Sequence, residues 1–267
     1  MNLKSLIYLW KEHTLFIGRL DEPLVLSQGA ATLCLSLEDK ISVRFPDSNS
    51  DTRCSSVLLP PGCTVCLDTR KQIVANVNLD VMGLDYLNLR KGMTQLAQGV
   101  CVGLNNEEEF RAALRSVHQN ESSLLETKSI LHELLSGDDP GIFVKDERVQ
   151  KVVDLIQSSI GLNLSTEHLA KQVNLSVPGL TKLFKHQTGV PIRRYRQWHR
   201  LYTTAVEIGK GRNLTDAALA AGFVDLPHCT HTFNLMLGMK PSYFLLRPDK
   251  TRIFTENTKE ASRLEKA

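Results

Sequence analysis

From residue 165 to residue 187 the apolar positions fall into two short helical stripes joined by a three-residue turn. Ser165 stands where an N-cap is needed, and Leu169, Ala170 and Val173 follow on one face at the spacing of a buried stripe. Asn174 tolerates the left-handed backbone of a tight helix-to-helix turn, and Ser176 can cap the helix that follows. In that second helix Leu180, Leu183, Phe184 and Gln187 share one face, while Pro178, Thr181, Lys182 and Lys185 share the opposite one. The apolar face docks and the polar face stays free, the arrangement by which a helix-turn-helix reaches base edges and phosphates in a major groove. Taken alone, the stretch is equally an ordinary helical hairpin with a solvated lysine face.

Residues 5–80 read differently, as short β-prone runs at 6–10, 15–20, 31–37, 41–45, 53–59, 63–67 and 73–79. Turn-formers such as Asp21-Glu22-Pro23, Gln28-Gly29 and Pro60-Pro61-Gly62 separate them. Closely spaced short strands predict a small antiparallel barrel or sandwich, a type of fold that can hold a small ligand. From about residue 83 the pattern turns helical, with Leu84, Leu87 and Leu89 leading towards Leu96. Asn106 then caps a run through Phe110, Leu114 and Val117, and a leucine-rich helix spans 121–135. The leucines of that last helix (124, 125, 131, 134 and 135) are either core or a dimer seam.

Residues 136–141, Ser-Gly-Asp-Asp-Pro-Gly, are rich in breakers and read as a linker. Everything after them is helical in pattern. Asp146 caps a helix with Val149, Val152, Val153 and Ile156 inward, the two helices of the opening stretch follow, and Pro191 starts a long helix to about Ile208. This rod carries Arg193, Arg194, Arg196 and Arg200, read as one positive face for phosphates or for solvent. Beyond it the first pattern recurs: Ala218, Gly222, Phe223, Cys229, Thr232 and Phe233 match Ala170, Asn174, Leu175, Leu180, Leu183 and Phe184, with a turn one residue longer. A chance hairpin would seldom be duplicated at the same small, turn and apolar positions. Eighteen helical residues in the rod give about 27 Å, against roughly 34 Å between successive major-groove faces. One chain could therefore set both recognition helices on one side of a duplex.

Charge sharpens this division. Residues 1–144 hold 13 Lys and Arg against 18 Asp and Glu, a net of −5, whereas residues 145–250 hold 15 against 8, a net of +7. Nucleic acid suits only the second half. Within 267 residues, 42% hydrophobic and 23% charged, no apolar run approaches a membrane span, and the N-terminus lacks the pattern of a secretion signal, so a cytoplasmic protein without a membrane partner is expected. The six cysteines (34, 54, 63, 66, 101 and 229) are expected to be unbridged. Cys63 and Cys66 form a C-x-x-C, but on a strand the two thiols would point to opposite faces, so neither a metal nor another cofactor is expected there.

The C-terminal residues resemble the AraC/XylS family of bacterial transcription regulators. The resemblance rests on Leu169-Ala170, Leu175-Ser176, Leu180, Leu183-Phe184-Lys185, Thr188-Gly189, Tyr195, Arg200, Ala205, Ala218, Gly222-Phe223, Phe233, Gly238, Pro241 and Tyr243, and covers about 100 residues from near Asp146 to Arg247. It implies an α+β chain. An N-terminal cupin-like small β-barrel plus helices (1–136) would regulate or dimerise, a linker would follow at 137–145, an all-α domain with two helix-turn-helix motifs (146–250) would bind DNA, and 251–267 would form a tail. The barrel lacks the clustered histidines of metal-binding cupins: Ser27, Gln28 and Gly29 stand where a His-x-His might be expected, and His13 stands alone.

By position, the family's base-contacting residues fall on Pro178, Thr181 and Lys182, with Lys185 towards phosphate, and in the second copy on Pro227, His228, His231 and Asn234. Arg200 of the rod joins them as a DNA-binding candidate. His231 stands where Arg is usual and Asn234 where Lys is usual, so the first copy is expected to be the stronger reader. The implied function is non-enzymatic: sequence-specific regulation of transcription, with activation through RNA polymerase, controlled by a small-molecule effector or by homodimer formation. Two alternatives stay open, a DNA-targeted thiol or metal-dependent enzyme or repair protein, and a DNA-binding scaffold that takes no ligand.

Overall fold

The computed structural model describes residues 4–48, 50–79, 82, 84–136, 145–245 and 249–256. Most of the expected linker (137–144), Gly83, Arg247 and residues 257–267 of the expected tail lie outside the described residues. The N-terminal strands are β1 (Ser5–Leu9), β2 (Thr14–Arg19), β3 (Leu24–Leu26), β4 (Thr32–Ser36), β5 (Ile41–Arg44), β6 (Thr52–Cys54), β7 (Ser56–Leu59), β8 (Val65–Asp68) and β9 (Ile73–Asn78). A short helix α1 (Asp85–Arg90), the small hairpin β10 (Thr94–Gln95) and β11 (Cys101–Val102), then α2 (Glu107–Asn120) and α3 (Leu124–Leu135) complete this half. The C-terminal half runs α4 (Glu147–Ser158), α5 (Thr166–Gln172), α6 (Val177–Thr188), α7 (Ile192–Gly209), α8 (Leu214–Ala220), α9 (Leu226–Leu237) and α10 (Pro241–Phe244), and ends on β12 (Thr251–Thr255).

Of the barrel or sandwich expected, the strands form two sheets that do not close into a barrel. One has the order β10-β11-β7-β4-β9-β2-β1-β12, the other β3-β8-β5-β6, and among the described residues no ladder joins them. The run 53–59, read as one strand, breaks at Ser55: β6 pairs with β5 in the small sheet and β7 with β4 in the large one. A bend that passes the chain between sheets is how such corners are made, and it leaves the two sheets facing each other with open edges.

The large sheet is buried on both faces, which explains why its strands show no alternation of apolar and polar residues. Ile7, Leu9, Phe16, Cys34, Val57, Leu59 and Val74 point towards the small sheet into a core that also holds Leu24, Leu26, Ile41, Val43, Val65 and Leu67. Their sequence neighbours Leu6, Tyr8, Leu15, Ile17, Leu33, Leu35, Leu58, Ala75 and Val77 point the other way, onto Phe110, Leu114 and Val117 of α2 and Leu131 and Leu135 of α3. The α3 leucines therefore serve the core. Leu124 and Leu134 pack at its margin, and only Leu125 is strongly exposed, at 76%.

The expected tail corrects the sequence reading most. Its first residues are β12, which pairs in parallel with β1 from Ser5↔Thr251 to Leu9↔Thr255. Phe254 is buried, stacks on Tyr8 with ring centroids 4.5 Å apart and lies under the Arg252 guanidinium at 4.7 Å. Arg252 also pairs with Glu121 at 2.9 Å. On the other face Ile253 joins Val206 and Ile208 of α7 against the first core. The chain thus returns from its helical half to finish the sheet of its N-terminal half. Phe254→Ala should remove an aromatic contact from a packed site and lower unfolding stability by about 3 kcal/mol; denaturant titration checks this, and a change below about 0.5 kcal/mol would mean that the strand is dispensable.

Candidate nucleic-acid interface and ligand cavity

The first helix-turn-helix is built as its sequence dictates. Asp146 caps α4 by accepting from the Arg148 amide at 3.0 Å, Ser165 caps α5 from the His168 amide at 3.1 Å, and Ser176 caps α6 from the Gly179 amide at 3.2 Å. Asn174 takes the left-handed conformation, φ 54°. Leu169, Ala170, Leu180 and Phe184 are buried with Val149, Val152 and Val153 of α4. Gln187 faces inward and accepts from the Asp146 amide at 3.4 Å. Pro178, Thr181, Lys182 and Lys185 all stand exposed on the opposite face of α6, so the candidate base-reading residues come together on one free surface.

The second copy repeats the first. Asn213 caps α8 and Asp225 caps α9, the latter by accepting from the His228 amide at 2.7 Å. Ala218, Cys229, Thr232 and Phe233 are buried where Ala170, Leu180, Leu183 and Phe184 stand in the first copy. Gly222 occupies the turn at φ 82°, and a Cβ there would lie 2.5 Å from the Ile160 carbonyl oxygen, so backbone conformation and close approach both require glycine. Pro227, His231 and Asn234 are exposed and His228 is half-buried. The two copies differ in what lies behind them. Met236 of α9 accepts from the Ser27 amide at 3.1 Å and α9 packs on β3, so the second reader is braced directly by the N-terminal half.

Between the readers lies α7, the 18-residue rod. Its arginines do not form the single face expected. At about 100° per residue, Arg193, Arg196 and Arg200 share one side with Gln197, while Arg194 falls on the other. There the Arg194 Nη2 donates to the carbonyl oxygen and hydroxyl of Ser27. The Ser27-Gln28-Gly29 turn, noted in sequence only for lacking histidines, is thus the joint between the halves. A Cβ at Gly29 would lie 2.5 Å from the Trp198 Cβ, so only glycine lets the turn meet α7. His13, which has no second histidine beside it in the sequence, lies 2.8 Å from Asp85.

The same side of α7 closes a cavity of about 100 Å³ within a solvent-connected cleft of about 810 Å³. Leu9, Phe16 and Leu26 line it from the strands, and Leu201, Ala205 and Phe233 from α7 and α9. Its polar lining includes Thr14, Gln28 and Asn78, tied together because Asn78 donates to Thr14 at 2.7 Å and accepts at 2.9 Å from Thr32, whose hydroxyl oxygen also meets the Gln28 side-chain amide. Among the described residues no Lys, Arg, Asp or Glu lines it. Sequence reasoning missed this site because its walls come from both ends of the chain.

All six cysteines are free. Burial pushes the Cys34 thiol up to about 12, and the Cys54 and Cys229 thiols up to about 11, the opposite of what a nucleophilic thiol needs. Among the described residues no three His, Cys, Asp or Glu cluster as metal ligands, and no helix is long and apolar enough to cross a membrane.

The family model described as a helix-turn-helix domain matches residues 169–247. Over nearly the whole chain the fold is that of ToxT from Vibrio cholerae. Its apo form, a single-residue variant from strain SCE256, superposes with a TM-score of 0.62 at 11% identity, covering 90% of this chain and 98% of that one. Wild-type ToxT of the same strain with a bound unsaturated fatty acid gives 0.59 at 13% identity, with coverages of 89% and 96%. A probable AraC family transcriptional regulator from Rhodopseudomonas palustris is 27% identical over 38% of this chain and 97% of its own, with a TM-score of 0.35. The matched residues take in both helix-turn-helix units of the C-terminal half, from within α5 through α10.

A separate, smaller pocket between α7 and the β1–β2 turn contains a pH-sensitive element. His199 stacks between Tyr195 and Tyr202, at ring distances of 6.4 and 5.7 Å, and burial depresses its pKa from 6.5 to about 4. A histidine held neutral by the fold contributes stability that is fully present above its unfolded pKa and is lost as pH falls from about 6.5 towards 4. Thermal unfolding of the wild type should therefore lose ground over that window, and His199→Gln should lose less of it; parallel curves for the two proteins would show that His199 is not the group responsible.

Proposed function

We propose that this chain, a DNA-binding transcription regulator with the paired helix-turn-helix domain of the AraC/XylS family, responds to an elongated apolar effector held in the cavity between its halves. The observation that carries the proposal is the shared wall: one pocket is lined by strands of the regulatory half and by α7 and α9 of the DNA-binding half. A ligand there touches the rod and the second reader at once. Support comes from the ToxT fold, a member of which holds an unsaturated fatty acid, and from a lining that offers apolar contact with a neutral hydrogen-bonding patch for a polar end.

In this reading the side chains on the exposed face of α6, Pro178, Thr181 and Lys182, read base edges, Lys185 meets phosphate, and Pro227, His228, His231 and Asn234 form a weaker second reader with less fixed charge. Arg200 serves the backbone. The family resemblance extends the proposal to promoter activation through RNA polymerase. A homodimer would have to form on a surface other than the α3 leucine face, which the core consumes.

Two measurements test this. Lys182→Ala should cost about 1 to 3 kcal/mol of specific binding, measured on duplexes the protein selects from a random pool; if only changes at His228 and His231 altered operator choice, the assignment of the stronger reader would be wrong. An unsaturated long-chain fatty acid at about 100 times its Kd should stabilise the wild type by about 2.7 kcal/mol and change its DNA affinity. Ala205→Phe, which fills the cavity, should abolish both effects, and a fatty acid that shifted neither unfolding nor DNA affinity would refute control through this cavity.

A further inference from the structure

The side of α7 turned away from the apolar cavity forms a second concavity of about 180 Å³, lined by Arg193, Arg196, Gln197 and Arg200 of the rod, Asn163 and Thr166 from the first reader, and His228 from the second. Three guanidiniums at i, i+3 and i+7 repel one another, and a solvated helix face of this kind normally carries carboxylates to offset them. Here none of the three has an ion-pair partner among the described residues; Glu167 exerts only a through-space influence on Arg196. Instead Arg196 and Arg200 are partly withdrawn from water, and burial lowers the pKa of both, while Arg193 stands exposed at the rim.

Two details indicate that the cleft is built for an anion. The Arg196 Nη2 is buried and has no acceptor within the described structure, which is costly for a charged donor unless something arrives to accept from it. Arg200 is fixed in place: its Nη2 donates to Asn163 Oδ1 at 2.9 Å, and its guanidinium lies 6.0 Å from the Phe223 ring, which meets the His228 ring edge-on at 5.3 Å. The ring that positions Arg200 thus also positions a candidate base-reading residue. Planar forked donors held in advance match the tetrahedral oxygens of a phosphate group, and the three charges match its negative charge.

We propose that this cleft is a phosphate-binding site formed by Arg193, Arg196 and Arg200, and that on DNA its occupant is a backbone phosphodiester lying between the two major-groove contacts. With α6 and α9 seated in successive major grooves, the groups that face the rod between them are the phosphates that border the intervening minor groove. The DNA part of the inference rests on the reading of the chain as a DNA-binding regulator. The cleft itself does not, because a free phosphate compound presents the same chemistry.

The test uses the full chain and its Arg193→Gln, Arg196→Gln and Arg200→Gln variants, with circular dichroism as a fold check. Each neutral variant should reduce the slope of log K against log salt by about 0.9, the value for one phosphate contact, and should do so equally on a selected duplex and on a scrambled one. Arg196→Lys, which keeps the charge, should restore most of the slope and so separates the loss of an anion contact from a folding defect. Inorganic pyrophosphate, titrated without DNA by NMR, distinguishes the sources. Unchanged salt slopes with pyrophosphate binding lost in the variants would assign the cleft to a free phosphate compound. Unchanged slopes and no pyrophosphate binding in the wild type would overturn the site. If the wild type bound no duplex at low salt, the regulator reading would fail, while the pyrophosphate titration would still decide whether the cleft takes phosphate.

Discussion

Nearly every long-range feature of this protein depends on the two-sided packing of α7. One side, Trp198, Leu201, Tyr202 and Ala205, completes the wall of a cavity that the strands begin. The other, Arg193, Arg196 and Arg200, faces the space between the readers. A helix cannot move one side without the other, because its backbone hydrogen bonds make it a rigid rod over these dimensions. α6 precedes this rod in the chain and α9 packs on it, so both helices are positioned against the helix that closes the cavity. Arg194 shows how finely this is set: one position along from Arg193, it turns about 100° and engages Ser27 in the other half.

Beside the packing of α9 on β3, two contacts hold the halves in register. The Ser27-Gln28-Gly29 turn seats against Trp198 and Arg194, and β12 carries the chain end back into the large sheet beside β1. The second is the firmer, since it combines a ladder, a stacked aromatic pair and an ion pair. The first is polar and partly strained in its hydrogen bonding, with the Arg194 Nε buried and unmatched. Of the two, the turn is the joint whose geometry can change at lower cost.

The C-terminal half was legible in the sequence because its signals are local. Caps at Asp146, Ser165 and Ser176, the left-handed Asn174, the rod from Pro191 and the repeat at Ala218, Gly222 and Phe233 each depend on residues a few positions apart. The strands were legible as strands for the same reason. Their assembly was not. Whether β6 and β7 belong to one sheet or two depends on a single bend at Ser55. That residues 251–255 form a strand depends on a partner some 245 residues away, and five residues hold too little pattern to announce a parallel edge. The cavity was invisible for the same reason as β12: no single segment contains it. The arginine face was misread because a count of positive residues ignores the 100° step that separates 193 from 194.

The docked arrangement also limits how an effector could act. In it Pro178, Thr181, Lys182 and Lys185 on α6, and Pro227, His231 and Asn234 on α9, are already exposed. Masking of the recognition faces by the N-terminal half is therefore not available as the control. A ligand shifts an equilibrium only by its differential affinity for two states, and of the two helices α9 lines the cavity, through Phe233 and Leu237, while α6 does not. α6 packs mainly in the core around Phe184, whereas α9 packs on β3 and on the cavity. Their charges differ in the same sense: Lys182 and Lys185 stand exposed on α6, whereas α9 presents Pro227, His231 and Asn234.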